Sequence, residues 1–444
     1  MSMLSDSSDV TFRDKLPEAV DVVIIGAGVI GISTAWFLMK AGVSVLVCEK
    51  GRVAGEQSSR NWGWVRQQGR DEAELPIVTK SINLWEGLAK ETGEDLGFTR
   101  QGLIFLAEDE KGLVDFEQWV EIAKQHQLDT RLLSAAALGK ELGYAEHRWK
   151  GAMITPSDGR AEPFIAVPAI ARAAQREGVQ IIENCAVRTI DTRAGEVSGV
   201  VTELGAVRAN AVVCAGGAWS STFLANLGLS FPQLLVKGTV ARTTPTPEAY
   251  SGGAGSHKFS FRRRQDGGYT LSLGNYMDHY VSADSVRYFS DFLPALKMTW
   301  SGMRLRFNDG LIDRLFPKRF WQADESTPFE KTRVLNPSPN PYAVKKIQEK
   351  MGRNLPVLKN AEIVEVWAGM IDASPDFVPV MDELPTVKNF YLASGFSGHG
   401  FGIGPGAGYV MAALVQGNEI EFDLNRFRFS RFSDGSPIVP GPAL

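Results

Sequence analysis

The sequence predicts an α/β protein: a Rossmann-type parallel sheet assembled from three separated blocks, into which a second domain of mixed β-sheet and helices is inserted. Three observations predict it. A strand–glycine turn–helix–strand unit occupies 21–50. A second buried strand, Ala211-Val212-Val213-Cys214, breaks into the turn Ala215-Gly216-Gly217-Ala218-Trp219, and a third, Phe390-Tyr391-Leu392-Ala393-Ser394-Gly395, runs into a glycine loop and a helix. Between them, from 233 to 281, the pattern turns to β alternation, as in Tyr269-Thr270-Leu271-Ser272-Leu273. A chain of 444 residues is long for one core, so two or three domains are expected.

Each part of the first unit has a mechanical task. Val22-Val23-Ile24-Ile25 is a buried strand, and Gly26-Ala27-Gly28-Val29-Ile30-Gly31 follows it directly. Gly26 permits the tight turn, Gly28 lets the backbone approach a pyrophosphate, and Gly31 lets the helix pack closely on the sheet. The helix N-terminus at Val29 and Ile30 turns its N–H groups toward phosphate charge. Val45-Leu46-Val47-Cys48 is the next strand. It ends at Glu49-Lys50, where a carboxylate about 20 residues on can bind ribose hydroxyls. The unit reads as dinucleotide-binding.

The remaining elements follow in order. Residues 76–93 and 113–127 carry helical spacing of Leu, Ile, Trp and Val. A helix at 163–178 runs into a strand at 179–182, and 195–203 with 206–209 form a hairpin. Residues 284–315 and 341–353 read as helices. The last helix is expected from Pro405 to 414, with Pro405 at its favoured first position; Gly402, Gly404, Gly406 and Gly408 permit close packing there. Residues 1–19 and the Pro/Gly/Ser-rich 433–444 read as flexible tails.

Bulk properties exclude several classes. Hydrophobic content of 44%, charged content of 22% and a formal net charge of −4 give no electrostatic case for nucleic acid or an anionic membrane. Arg262-Arg263-Arg264 reads as a solvated hairpin edge and secondarily as an anion contact. Cys48, Cys185 and Cys214 sit in or beside apolar runs and read as buried reduced thiols, and neither they nor the five scattered histidines show metal-site spacing. No signal peptide or transmembrane-length run is evident. A cytoplasmic protein is expected, with peripheral membrane contact left open.

Four further motifs complete a pattern: Ser58-Ser59-Arg60-Asn61, the 212–219 turn, Trp367-Ala368-Gly369 followed by Ser374-Pro375-Asp376, and Gly395-Phe396-Ser397-Gly398-His399-Gly400. In this order they resemble the D-amino-acid oxidase superfamily of FAD-dependent amine and amino-acid oxidoreductases, over roughly 20–420. The resemblance implies a discontinuous, glutathione-reductase-like FAD domain over 20–65, 150–236 and 360–432. It also implies a substrate domain over 66–149 and 237–359. FAD would be held by the glycine turn, Glu49, Lys50, Ser58, Ser59, Val187, Ala215, Gly216, Trp219, Gly369, Gly398, His399 and Gly400. Attachment would be non-covalent, because sarcosine-oxidase relatives place their flavin-linking cysteine where this chain has Gly369. The implied reaction is hydride transfer from a substrate C–N carbon to the flavin, giving an imine that hydrolyses. The acceptor would be O2, a quinone or an electron-transfer protein.

The chain departs from the family at one place. Many amino-acid-oxidising relatives carry a carboxylate-binding arginine two residues after Gly369, where this chain has Ile371, followed by Asp372. An arginine fork is the natural carboxylate partner and isoleucine cannot replace it. Either another cation serves or the substrate lacks an α-carboxylate. Arg66 is the leading replacement; a structural salt bridge is its other reading. Asp372 reads as an anionic attractor of an ammonium group or as a turn residue before Pro375, with Asp376 stabilising the same turn. Trp62, Trp64 and Trp367 either wall an amine-binding pocket or pack the core. His399 reads as a loop or flavin-edge residue ahead of a general base, and Lys237 as a possible tuner of the flavin. Two alternatives remain: oxidation of a 2-hydroxy acid, and a non-catalytic FAD-binding scaffold.

Overall fold

The computed structural model describes residues 3–142, 148–307 and 318–442. Its first sheet grows from the strand Ala19–Ile25, which pairs in parallel with Val45–Cys48 on one side and Gly205–Cys214 on the other. Gln180–Ile182 and Phe390–Ser394 extend the parallel set, and Val187–Arg193 with Glu196–Thr202 form an antiparallel flap on Gly205–Cys214. The register sets Ile25 level with Cys48 and with Cys214. The carboxyl ends of three parallel strands therefore open at one level, where ligands bind in open α/β sheets.

Two helices cover one face of this sheet. Val29–Lys40 is apolar nearly all round, as a helix buried on both sides must be. Gly400–Gln416 lies against it so closely that a Cβ at Gly404 or Gly408 would come within 2.5 Å of Val29 or Ser33. The long helix Leu75–Thr92 packs on the other side of Gly400–Gln416 and stops at Gly93, whose left-handed φ of 67° closes it. The three cysteines are buried and free.

A second, ten-stranded sheet is built mainly from antiparallel strands. Its longest ladder joins Leu234–Thr243 to Ile363–Ala373 and carries the stretch Gly369–Asp372 back toward the first sheet. Its core, around Ile104, Ile154, Phe261, Leu271 and Ile347, is separate from the cores flanking the first sheet.

Several expectations are corrected. The strands Gly151–Thr155 and Ile363–Ala373 belong to the second sheet, so sheet membership departs from boundaries at 150 and 360. Within 284–315, helices Ala283–Arg287 and Phe289–Thr299 give way to a strand at Met303–Arg306; 308–315 lies outside the described residues. The last helix starts at Gly400, and Pro405 is inside it. Beside that proline the helix is braced from outside: Ser81 Oγ accepts from Gly406 N (3.1 Å) and donates to Gly402 O (2.8 Å).

The terminal segments are docked as well. Phe12 is buried, Thr11 N donates to Glu183 Oε2 and Arg60 Nη2 donates to Leu4 O. At the other end, Gly441 N donates to Asp376 O and Arg428 Nη2 to Ser436 Oγ. The arginine triplet is not a solvated edge either. Arg262 is buried, its guanidinium forked onto Glu162 at 2.7 and 3.1 Å.

Candidate active site

A cleft of about 160 Å³ opens at the ends of the three parallel strands. It is lined by Gly26, Gly28, Val29, Ile30, Glu49, Lys50, Ser58, Val187, Ala215, Gly216, Trp219, Gly398 and Gly400. Gly26 has φ +100°, and a Cβ there would meet Ala215 O at 2.6 Å; one at Gly31 would meet Gly26 O at 2.0 Å. The turn thus tolerates no side chain at either position. Val29 N donates to Ser58 Oγ (2.9 Å), and the other first-turn N–H groups have no partner within the helix. No acidic residue occupies that turn, so the helix end keeps its positive potential. Glu49 spans the turn, accepting from Ala27 N (2.8 Å) and Gly51 N (2.7 Å). Burial pushes its carboxyl up, against Lys50 and these two donors. Lys50 pairs with Glu56 (2.6 Å) and sits over the Trp219 ring, whose Nε1 also donates to Glu56. A bare turn, a helix N-terminus and a half-buried strand-end acid fit a dinucleotide.

A second cavity, about 1260 Å³, meets this cleft where Gln57, Asn61, Gly398 and Phe401 border both. Its walls are mostly apolar, from Leu234, Val236, Ile371, Phe292 and neighbours. Its inner wall is polar, carrying Arg66, Arg70 and His399.

Arg66 is 0% exposed. Nη1 donates to Gln68 O, whereas Nε and Nη2 have no partner among the described residues. Those two nitrogens form one edge of the guanidinium, the edge that takes a carboxylate in two parallel bonds. The rings of Phe105 and Trp64 lie 5.0 and 5.7 Å from its centre. Burial, then Arg70, oppose its charge, while Asp158 and Glu74 favour it. Asp158 accepts from Gln67 N and Gln68 N, and burial raises its carboxyl to about 7.

His399, at the start of the helix Gly400–Gln416, is buried with Nδ1 3.4 Å from Glu74 Oε2. Burial first and then Arg70 push its imidazole down to about 4, against the pull of Glu74.

The anticipated residues divide clearly. Trp62, Trp64, Arg66, Ile371, Gly369, Gly398 and His399 line the large cavity, with Trp62 and Trp64 in edge contact at 4.8 Å. Trp367 does not: it is buried, donating to Arg60 O and packed edge-on to Phe164. Asp372 lines the dinucleotide cleft instead. Its Oδ2 accepts from Gly395 N (2.9 Å) and Phe396 N (3.3 Å), bracing the glycine loop, and burial raises it to about 6. Those donors fit the other reading of Asp372, a turn residue. Ser59 turns away and donates to Glu56 O. Lys237 borders neither space and donates to Tyr280 Oη and Ser338 O. Asp376 holds Arg431 in a fork at 2.8 and 3.1 Å, stabilising its turn.

Sequence reasoning missed Arg70, Glu74 and Asp158. The signal available was thin: Arg70 stands four residues after Arg66 and Glu74 four after that, in a charged run before a helix. Such runs ordinarily face solvent.

Comparison with known proteins agrees with this geometry. A family model described as "FAD dependent oxidoreductase" (DAO) matches residues 21–414. The chain is similar to mitochondrial sarcosine dehydrogenase of Mus musculus, 26% identical over 94% of this chain and 42% of that protein. It thus spans less than half the length of that dehydrogenase. Sarcosine oxidase subunit beta of Arthrobacter sp is 25% identical, covering 95% of this chain and 93% of the relative. Among solved structures, L-amino acid deaminase from Proteus myxofaciens in complex with anthranilate superposes with a TM-score of 0.92, at 30% identity over 98% of both chains. Among the described residues no helix is long and apolar enough to cross a membrane.

Proposed function

Since the chain belongs to the DAO family of FAD-dependent oxidoreductases, we propose that it oxidises the C–N bond of an amine that carries a carboxylate, a primary or N-substituted amino acid. The observation that carries this reading is the Nε/Nη2 edge of Arg66, without a partner among the described residues, in the inner wall of the large cavity. A buried guanidinium with an unmade fork costs free energy until an anion fills it. Its relatives' names point the same way, to sarcosine and to L-amino acids.

FAD, when bound, supplies the redox half by accepting the substrate's hydride, after which the imine hydrolyses. Gly26, Gly28, Val29, Ile30 and Glu49 would hold it, with Gly398 and Gly400 at the meeting of cleft and cavity. Binding is non-covalent on this reading: Gly369 has no side chain to bond, and all three cysteines are buried. The chain's own part is to fix the carboxylate on Arg66, keep the reacting carbon among apolar walls, and exclude water. His399 lines the cavity between Gly398 and Gly400 at that meeting point.

An anaerobic reduction screen of the purified holoenzyme tests the reading. Amino acids or N-alkyl amino acids are expected to bleach the flavin, whereas the corresponding decarboxylated amines do so poorly. Equal bleaching by the decarboxylated amines, or bleaching by hydroxy acids alone, would overturn it. Reoxidation in air, or its absence, then separates oxygen from a quinone or protein acceptor.

A further inference from the structure

Resting on that reading, we infer that Glu74 is a positioning residue. It holds the His399 imidazole with its proton on Nδ1, leaving Nε2 as the base that takes a proton from the substrate ammonium.

The two residues are brought together from distant parts of the chain. Glu74 immediately precedes the helix Leu75–Thr92, and His399 immediately precedes Gly400–Gln416, neither side chain capping its helix. Glu74 is 0% exposed, and neither carboxylate oxygen makes a hydrogen bond within the described residues; His399 Nδ1 is equally without one. Their 3.4 Å approach is the contact each has available. A buried carboxylate with no donors is costly, so Glu74 serves no ordinary packing or capping role. It does not line the cavity, whereas His399 does. Turning Nδ1 to Glu74 leaves Nε2, on the opposite side of the ring, for an occupant.

Three charged groups face this ring: Arg66 and Arg70 from the loop after Trp64–Val65, and Glu74. Asp158 lies behind them on Gln67 and Gln68. With the cavity lacking an anion, the two guanidinium groups oppose a further proton on His399. A carboxylate on Arg66 cancels part of that field, so Nε2 becomes a stronger base when substrate is in place. The step balances without an oxidant. One substrate N–H bond breaks and its electron pair stays on nitrogen, while an Nε2–H bond forms and the imidazolium gains Glu74 as counter-ion.

Histidine-labelled 15N NMR of the FAD-loaded enzyme tests this directly, because only five histidines contribute signals and a His399→Asn sample identifies the one of interest. The wild type is expected to show the Nδ1–H tautomer, with Glu74→Gln shifting it toward Nε2–H. In turnover, Glu74→Gln should lower kcat by about tenfold to a hundredfold and move the acid limb of the kcat profile to lower pH. KM should change less than about threefold if Arg66 alone anchors the carboxylate, and Glu74→Asp should recover part of kcat. A wild-type His399 in the Nε2–H form overturns the inference whatever the variants do. So does a Glu74→Gln enzyme that matches the wild type in kcat and pH profile. A wild-type flavin that no amine or amino acid reduces overturns the underlying reading, and this inference with it.

Discussion

The dinucleotide cleft and the large cavity meet at Gly398 but are built on opposite principles. In the cleft most polar side chains are satisfied by the chain itself, Gln57 Oε1 at the meeting point being an exception among the described residues. Glu49 holds Ala27 N and Gly51 N, Ser58 holds Val29 N, and Asp372 holds Gly395 N and Phe396 N. What the cleft offers a ligand is backbone: a bare turn and a helix end. The cavity offers side chains, and several have no partner among the described residues, including Arg66 Nε and Nη2 and Arg70 Nη1. A site made of backbone is rigid and common to many ligands, whereas a site made of orphaned side chains is specific and pays for itself only when filled.

The largest effect should come from filling the backbone site. Gly31→Val places atoms where a Cβ alone would be 2.0 Å from Gly26 O. The helix must then move off the sheet, at a cost of roughly 3 kcal/mol or more. The purified variant should carry no yellow chromophore and should not regain it on dialysis against FAD. A normal flavin spectrum would show that the turn is more compliant than its geometry implies.

On the side-chain site, Arg66→Ala should leave flavin content unchanged and lower kcat/KM for carboxylate substrates roughly a thousandfold, about 4 kcal/mol. Comparing the same variant on a decarboxylated amine sharpens the contrast. If the ratio between the two substrates does not collapse, Arg66 is a structural cation and the cavity is not specific in the way proposed.

The two regions also differed in how far they could be read from sequence. The cleft was legible because its logic is local: one βαβ unit of 30 residues carries the strand, the turn, the helix and the acid. The long Leu75–Thr92 and Pro341–Asn354 helices were legible from spacing alone. Errors fell where a distant residue changed the local rule. Pro405 sits inside a helix where Ser81 bridges Gly402 O and Gly406 N beside it, and Arg262 is buried because Glu162 reaches it across 100 residues of sequence. Trp64 and Trp367 look alike as letters, yet one lines the cavity and the other packs against Phe164. Glu74 was invisible because its meaning is a relation to His399, 325 positions away.

Asp372 tests the claim that the cleft side is self-satisfied. Burial raises its carboxyl to about 6, above the 3.8 of an unperturbed aspartate. Between those pH values the native state holds a proton that the unfolded chain has lost. The contribution of this one group to stability is therefore greatest below about pH 4 and falls as pH rises toward 6, by roughly 3 kcal/mol in all. Asp372→Asn should remove this slope, so its melting temperature gains on the wild type between pH 4 and 6 and stays ahead at pH 7.5. A wild type that instead gains on the variant with rising pH has an anion stabilised at this position. That result would return Asp372 to the role of an ammonium partner and blur the division between cleft and cavity.

The smallest effect concerns the helix that serves both regions. Gly400–Gln416 begins at the junction, so its interruption at Pro405 could have been a hinge between them. The hydrogen bonding argues against that. Ser81 Oγ closes the gap between Gly402 O and Gly406 N, and Trp85 Nε1 donates a second bond to Gly402 O at 3.1 Å. In Ser81→Ala the carbonyl keeps Trp85 and only Gly406 N is left unpaired. The cost should then be about 1 kcal/mol, read as a small fall in the denaturant midpoint with an unchanged m-value. Flavin content and kcat/KM should stay within about twofold, because the break is a repaired one and neither ligand site depends on its motion. A loss of activity well beyond the loss of stability would make this helix a working hinge and join the two sites mechanically.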